Sequence, residues 1–180
     1  VKIQVEFNPA KVQAYRLIGY ESRLLEAKDF NDDTKDAGEM GAGHSVTALY
    51  EIIPVGVKSN FIPSIDPLKY QKTEKNEKKT LTDSPELLTV KLRYKQPESH
   101  KSSKMEVTII DNNTPLKKSS ENFRFSAAVA GFGMLLQNSE YKNNFTFDDI
   151  IDLAKQATNY DPEGYRKEFI RLVESAALLK

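Results

Sequence analysis

The chain lacks cysteine, net charge and any long hydrophobic run. Without cysteine it forms no disulfide, offers no thiolate nucleophile and binds neither zinc nor an iron–sulfur cluster through sulfur. Its 26 basic residues balance its 26 acidic residues, so no overall field attracts nucleic acid or an anionic membrane. No stretch approaches 18 uninterrupted apolar residues, so we expect no direct insertion into a membrane.

The first two-thirds of the chain have the pattern of β-strands. Residues 1–7 alternate apolar and polar side chains, which is typical of a half-buried strand. Further strands are predicted over residues 12–25, with a bulge or close backbone approach at Gly19, and over residues 44–53. Residues 88–94 and 104–110 are predicted to pair as a hairpin, after a long polar connection at 54–85 that is given no regular element.

The last third changes to the period of a helix. Residues 121–139 are apolar on most faces and rich in small side chains, which predicts a buried helix that its neighbours approach closely. Ser119 or Ser120 is available to cap its start.

Two shorter helices are predicted after it. Thr146 can cap a helix over residues 147–158, with Asp149 completing a capping box. Asp161 and Pro162 predict the start of a third helix. Its apolar positions at helical spacing are Tyr165, Phe169, Leu172, Val173 and Ala176.

Strands followed by helices predict an α+β fold. We expect an antiparallel β-sheet or sandwich over residues 1–112 and a small helical bundle over residues 113–180, together forming one structural unit. Because Val1 lies directly at the start of a predicted strand, we expect the chain to be part of a longer protein.

A glycine-rich turn is the candidate functional segment. Its residues are Asp36, Glu39, Gly41, Gly43 and His44. His44 could act as a base with Glu39 or Asp36, as a hydrolase would require. The phosphate-binding glycine motifs are absent and no nucleophile is specifically placed beside His44, so a structural role for this turn is favoured.

The turn follows an acidic segment with six carboxylates between residues 26 and 39. Calcium prefers several oxygen ligands from one loop, so residues 29–39 are a candidate calcium loop. The spacing differs from the EF-hand pattern, and a solvated acidic connection is favoured over a metal site. We therefore predict no cofactor and no metal ligands.

A lysine-rich run at residues 69–79 is the candidate for binding nucleic acid. It contains a single aromatic residue, Tyr70, whereas nucleic-acid surfaces favour arginine and several interleaved aromatics. We therefore predict a solvated loop and no nucleic-acid partner.

Several segments resemble the C-terminal domain of bacterial von Willebrand factor type A domain proteins of the YfbK type. The resemblance runs in order along nearly the whole chain. It is carried by residues 12–21 (VQAYRLIGYE), 29–33 (DFNDD), 36–39 (DAGE), 41–51 (GAGHSVTALYE), 125–136 (FSAAVAGFGMLL) and 164–173 (GYRKEFIRLV).

The resemblance implies an accessory role. In such proteins this domain follows a von Willebrand A domain, whose Asp-x-Ser-x-Ser metal site would lie upstream of Val1. No catalytic residues are assigned to the C-terminal domain, and these proteins are often exported or lipid-anchored in the cell envelope. The resemblance thus implies a non-catalytic accessory domain that supports protein–protein interaction or adhesion, with the upstream A domain and an unknown protein as partners. A hydrolase using His44 and a calcium-binding loop are the alternatives.

Overall fold

The computed structural model describes residues 1–20, 22, 24–62 and 84–179. Within them lie five strands and three α-helices. The strands are β1 (Lys2–Phe7), β2 (Val12–Ile18), β3 (Leu49–Pro54), β4 (Glu86–Tyr94) and β5 (Ser103–Ile110). The helices are α1 (Glu121–Leu136), α2 (Phe147–Lys155) and α3 (Tyr165–Ala177). Antiparallel strands followed by helices confirm the predicted α+β class.

The chain divides into two compact units. One comprises Val1–Val46 and Tyr50–Asn112, and the other comprises Thr47–Leu49 and Asn113–Lys180. No helix among the described residues is long and apolar enough to cross a bilayer. The lysine-rich run at 69–79 and most of the predicted connection at 54–85 lie outside the described residues.

The larger sheet has the strand order β1-β4-β5, with both pairings antiparallel. The predicted hairpin of residues 88–94 and 104–110 is confirmed, with Val90 opposite Val107 at its centre. In the pairing of β1 with β4, Val5 lies opposite Val90. Apolar residues of β1 and β5 therefore lie on either side of an apolar residue of the central strand β4.

The second sheet pairs β2 with β3. Strand β2 ends at Ile18, earlier than predicted, because Gly19 adopts a φ of +85° and turns the backbone out of the extended region. Strand β3 begins at Leu49, so the prediction of a strand from residue 44 is wrong for its first five residues. Residues 21 and 23, at the end of the predicted second strand, lie outside the described residues.

The two sheets meet through aromatic rings. Phe7 of β1 lies with its ring centroid 4.4 Å from that of Tyr15 and 5.5 Å from that of Tyr50. Phe7 is consequently only 9% exposed, and burial raises the pKa of Tyr50. Arg16 on β2 forms an ion pair with Glu51 on β3 at 2.6 Å.

The helical unit has its own core. Helix α1 begins after Ser120, whose side chain accepts a hydrogen bond from the Phe123 amide. Both hydrogen bonds of the predicted capping box at Thr146 and Asp149 are present at the start of α2. The core residues are Ala128, Phe132, Leu135, Ile150, Ile151, Ala154, Ile170 and Val173.

Two helical predictions need correction. Helix α3 begins at Tyr165, after Gly164 at a φ of +77°, and therefore later than predicted. The Asp161 carboxylate nevertheless accepts hydrogen bonds from the Arg166 and Lys167 amides in the first turn of α3. The predicted apolar face of α3 is split, because Tyr165 and Leu172 are exposed. Helix α1, predicted to be buried, also leaves apolar side chains exposed within the described structure, namely Phe123, Val129 and Leu136.

Candidate functional site

The acidic segment packs against one face of the β1-β4-β5 sheet. We call this face, which carries Lys2, Glu6, Lys91 and Arg93, the polar face. Residues 27–31 form a short 3-10 turn whose Phe30 side chain is buried. The side chain of Lys2 reaches this turn from β1 and donates hydrogen bonds to the carbonyl oxygens of Asp29, at 2.9 Å, and Asp32. Lys2 is buried as a result, because the backbone of the loop covers it. The carbonyl oxygens of Asp29 and Asp32 thus accept hydrogen bonds from the Lys2 ammonium, a contact that the sequence analysis does not predict.

Arg93 holds the same turn from β4. It lies directly opposite Lys2 in the sheet register. Its guanidinium donates to the Asn31 side chain at 3.0 Å and lies 5.8 Å from the centroid of the Phe30 ring. The turn is therefore fixed by two cationic side chains on neighbouring strands.

Asp33 is bound by the loop between β4 and β5. The hydroxyl of Ser102 donates to one carboxylate oxygen at 2.6 Å, and the Ser102 amide donates to the other at 3.2 Å. The Arg93 guanidinium lies 3.9 Å away, and Lys95 donates to the Asp33 carbonyl at 2.6 Å. The hydrogen bond from the Ser102 hydroxyl is the largest cause of the lowered pKa of Asp33.

The Asp32 carboxylate is bound by a residue close to it in sequence. Its carboxylate accepts hydrogen bonds from the hydroxyl of Thr34 at 2.6 Å and from the Thr34 amide at 2.9 Å. The hydroxyl bond is the main cause of the lowered pKa of Asp32. This is an Asx turn, in which the side chain stabilises the backbone just after it.

The glycine-rich turn does not assemble a catalytic pair. Asp36 accepts a hydrogen bond from the next amide at 2.8 Å, and no hydrogen bond or ion pair joins it, or Glu39, to His44. All three side chains are exposed. The His44 amide donates to the Gly41 carbonyl at 3.1 Å, and Gly43 has a φ of +79°. Gly41 and Gly43 thus form a backbone bend, which is the structural role that the sequence analysis favours. His44 is not paired with either acidic side chain of the turn.

The acidic segment likewise does not gather into a metal site. Among the residues that the structure describes, no group of three or more His, Asp or Glu side chains could hold a metal ion. Glu26 forms an ion pair with Lys28 at 2.6 Å, while Asp32 and Asp33 use their oxygens as described above. The sequence analysis does not predict Lys2, Arg93 and Ser102 as partners of the acidic segment. These residues lie far from the segment along the chain, so no local pattern indicates the contacts.

The opposite face of the sheet is largely apolar, with the pair Tyr94 and Ser103 at one end. We name it the apolar sheet face; side chains directly opposite one another in an antiparallel pair share a face, so the register defines its members. Its apolar members are Ile3, Val5 and Phe7 on β1, Leu88, Val90 and Leu92 on β4, and Met105, Val107 and Ile109 on β5.

This face is covered unevenly. Tyr15 and Tyr50 lie over Phe7, but Met105, Val107 and Ile109 are 50%, 49% and 42% exposed. A contiguous apolar surface of this kind usually marks an interaction site on a protein. The apolar sheet face is therefore the feature that best indicates what the molecule does.

The comparisons with known proteins agree on one family. The sequence profile of the family described as "Uncharacterized protein YfbK, C-terminal" matches residues 1–179. A protein of Escherichia coli strain K12, "Uncharacterized protein YfbK", is 44% identical over 176 residues, which cover 98% of this chain and 29% of that protein. The chain thus spans less than a third of the length of the curated relative it matches. No solved structure matches the chain.

Proposed function

Because the chain belongs to the family of YfbK C-terminal domains, we propose that it is a non-catalytic accessory domain that packs against the protein region preceding it. In this proposal the preceding region includes a von Willebrand A domain, and the accessory domain supports the binding of a further protein partner. The cell envelope is the compartment we propose, following the same resemblance.

The exposed apolar sheet face is the observation that carries this proposal. Its three β5 side chains are 42–50% exposed, although each belongs to a type that is usually buried. Burying apolar area contributes about 25 cal/mol per Å², so covering this face with another protein surface would be favourable. On the other face of the sheet, charged side chains are paired or covered: Lys91 pairs with Glu6 at 2.6 Å, and the acidic loop covers Lys2.

A non-catalytic role is supported by how the acidic side chains are used. Asp32 and Asp33 hold the loop in place, and no hydrogen bond or ion pair joins His44 to Asp36 or Glu39. A general base must lie within hydrogen-bond reach of its partners, either directly or through a water molecule. No observation favours the hydrolase or the calcium loop over an accessory domain.

The experiment that tests the proposal cleaves the longer protein between its two parts. A specific protease site would be introduced before Val1 in the protein that carries the upstream region, and the cleaved material would be run on a size-exclusion column. We expect the two parts to elute together, because their interface persists without the covalent link. Separate elution of two folded parts would contradict the proposal.

A further inference from the structure

Strand β5 forms an edge of its sheet. Among the described residues its backbone is paired on one side only, with β4. An edge strand presents a row of unpaired amide and carbonyl groups that can receive a further strand. All eight residues of β5 are exposed.

Strand β5 has few of the features that usually protect such an edge. It contains no proline, and its charged residues Lys104 and Glu106 lie on the polar face, where they pair at 3.3 Å. No charge points into the apolar sheet face, where Met105, Val107 and Ile109 alternate. A long edge strand whose charges are confined to one face leaves its apolar face open to pairing with another chain segment.

The opposite edge is less open. Strand β1 begins with Lys2, which the acidic loop covers, and ends with Phe7, which Tyr15 and Tyr50 cover. Only Ile3 of its apolar residues is as exposed as those of β5, at 52%. Three of the four exposed apolar side chains of the apolar sheet face, those of Met105, Val107 and Ile109, therefore lie on the edge strand β5.

Building on the proposed function, we propose that β5 receives a β-strand from the protein region upstream of this domain, which extends the sheet and continues its apolar face. An extended segment is the occupant that satisfies the β5 backbone groups, since main-chain pairing supplies the affinity and alternate side chains supply the specificity. Its apolar residues would lie beside Met105, Val107 and Ile109, and its polar residues beside Lys104 and Glu106.

We favour the upstream region over a second copy of the chain as the source of this strand, because a segment of the same polypeptide has the higher effective concentration. The E. coli relative contains more than twice as much sequence outside the matched region as within it, since the match covers 29% of its length. A segment of the same polypeptide has an effective concentration in the millimolar range, which a separate molecule rarely reaches. A dimer that pairs β5 with β5 is the competing outcome of the experiment below.

The first experiment introduces single lysines into the cleavable protein. Val107→Lys places a charge in the apolar sheet face, whereas Thr108→Lys places the same charge on the polar face of the same strand. After cleavage we expect Val107→Lys to separate the two parts and Thr108→Lys to leave them together. Co-elution in both variants would overturn the β5 proposal while leaving the proposed function intact; separation of the wild-type parts would overturn both. A complex containing two copies of this domain and no upstream part would overturn the choice of occupant.

A second measurement does not depend on how the lysine variants fold. Because the chain contains no cysteine, Val107→Cys and Thr108→Cys each place one thiol in this domain. In the intact longer protein we expect maleimide to label Cys at the Val107 position about tenfold more slowly than at the Thr108 position, since labelling there requires local opening. Labelled peptides are identified by mass spectrometry, so thiols upstream do not interfere. Equal labelling rates would overturn the proposal.

Discussion

The hydroxyl of Ser102 donates a 2.6 Å hydrogen bond to the carboxylate of Asp33, across 69 positions of sequence. Ser102 lies just before β5, and Asp33 lies in the acidic segment, which the sequence analysis considers as a candidate calcium loop. This bond, with that of the Ser102 amide, fixes the acidic segment to the end of the sheet.

The Asp33–Ser102 contact predicts a dependence of stability on pH. The pKa of Asp33 lies below its ordinary value of 3.8, so the ionised form stabilises the fold at neutral pH. This contribution is present above pH 3.8 and is lost as the pH falls through the lowered pKa of the folded state. We expect Ser102→Ala to lower the melting temperature at pH 7 and to match the wild type more closely near pH 3. Ser99→Ala is the control, because the Ser99 hydroxyl bonds only within its own turn; equal losses in both variants would contradict the assignment.

Gly131 and Gly133 in α1 predict opposite effects of the same substitution. A Cβ on Gly131 would clash with the ring of Phe145, whereas a Cβ on Gly133 meets no atom within 4 Å. We expect Gly131→Ala to destabilise the protein by about 1–3 kcal/mol through overpacking. Gly133→Ala should stabilise it by about 0.5–1 kcal/mol, because alanine favours the helix. Chemical denaturation measures both, and stabilisation by both substitutions would show that Phe145 moves aside.

Ile150 predicts how much the helical core contributes to stability. Its side chain on α2 is fully buried among α1 and α3 residues. We expect Ile150→Ala to lower the free energy of unfolding by about 2–5 kcal/mol, since it removes buried methyl groups and leaves a cavity. Leu178→Ala, at a residue 88% exposed, should change it by less than about 0.5 kcal/mol. A small effect at Ile150 would mean that the core closes around the missing atoms.

The acidic segment predicts no response to calcium. Asp32 and Asp33 already accept hydrogen bonds from Thr34 and Ser102, so their oxygens do not converge on an ion. We expect an unchanged melting temperature when calcium chloride replaces sodium chloride at equal ionic strength. A rise with calcium would contradict this prediction, because a ligand that binds the folded state stabilises it.

The glycine-rich turn predicts different roles for two neighbouring residues. His44 is exposed, so His44→Ala should change the free energy of unfolding by less than about 0.5 kcal/mol. Gly43 has a φ of +79°, so Gly43→Ala should cost about 1–2 kcal/mol from the strained left-handed backbone. Thermal melts compare the two variants. A larger loss at His44 than at Gly43 would assign the imidazole a structural contact.

Local patterns were sufficient for much of the fold. The alternation in β1, the hairpin of β4 and β5, and the capping box at Thr146 each depend on residues close in sequence, and all three are present. The sequence predicts a bulge or close backbone approach at Gly19 within a longer strand, whereas the strand ends before this glycine, whose φ is +85°. Helix α3 starts later than predicted, at Tyr165, and the Asp161 carboxylate reaches two amides of its first turn from five and six residues upstream.

The sequence by itself determined the α+β class, the family and the alternation that gives one sheet face nine apolar residues. These follow from side-chain period and local hydrogen bonding, which neighbouring residues specify. Only the tertiary structure decided that the acidic segment binds Lys2, Arg93 and Ser102 instead of gathering around a metal, and that β5 is an exposed edge strand within the part of the chain that the structure describes. Those outcomes depend on contacts between residues far apart in the chain, for which a single sequence carries no periodic signal.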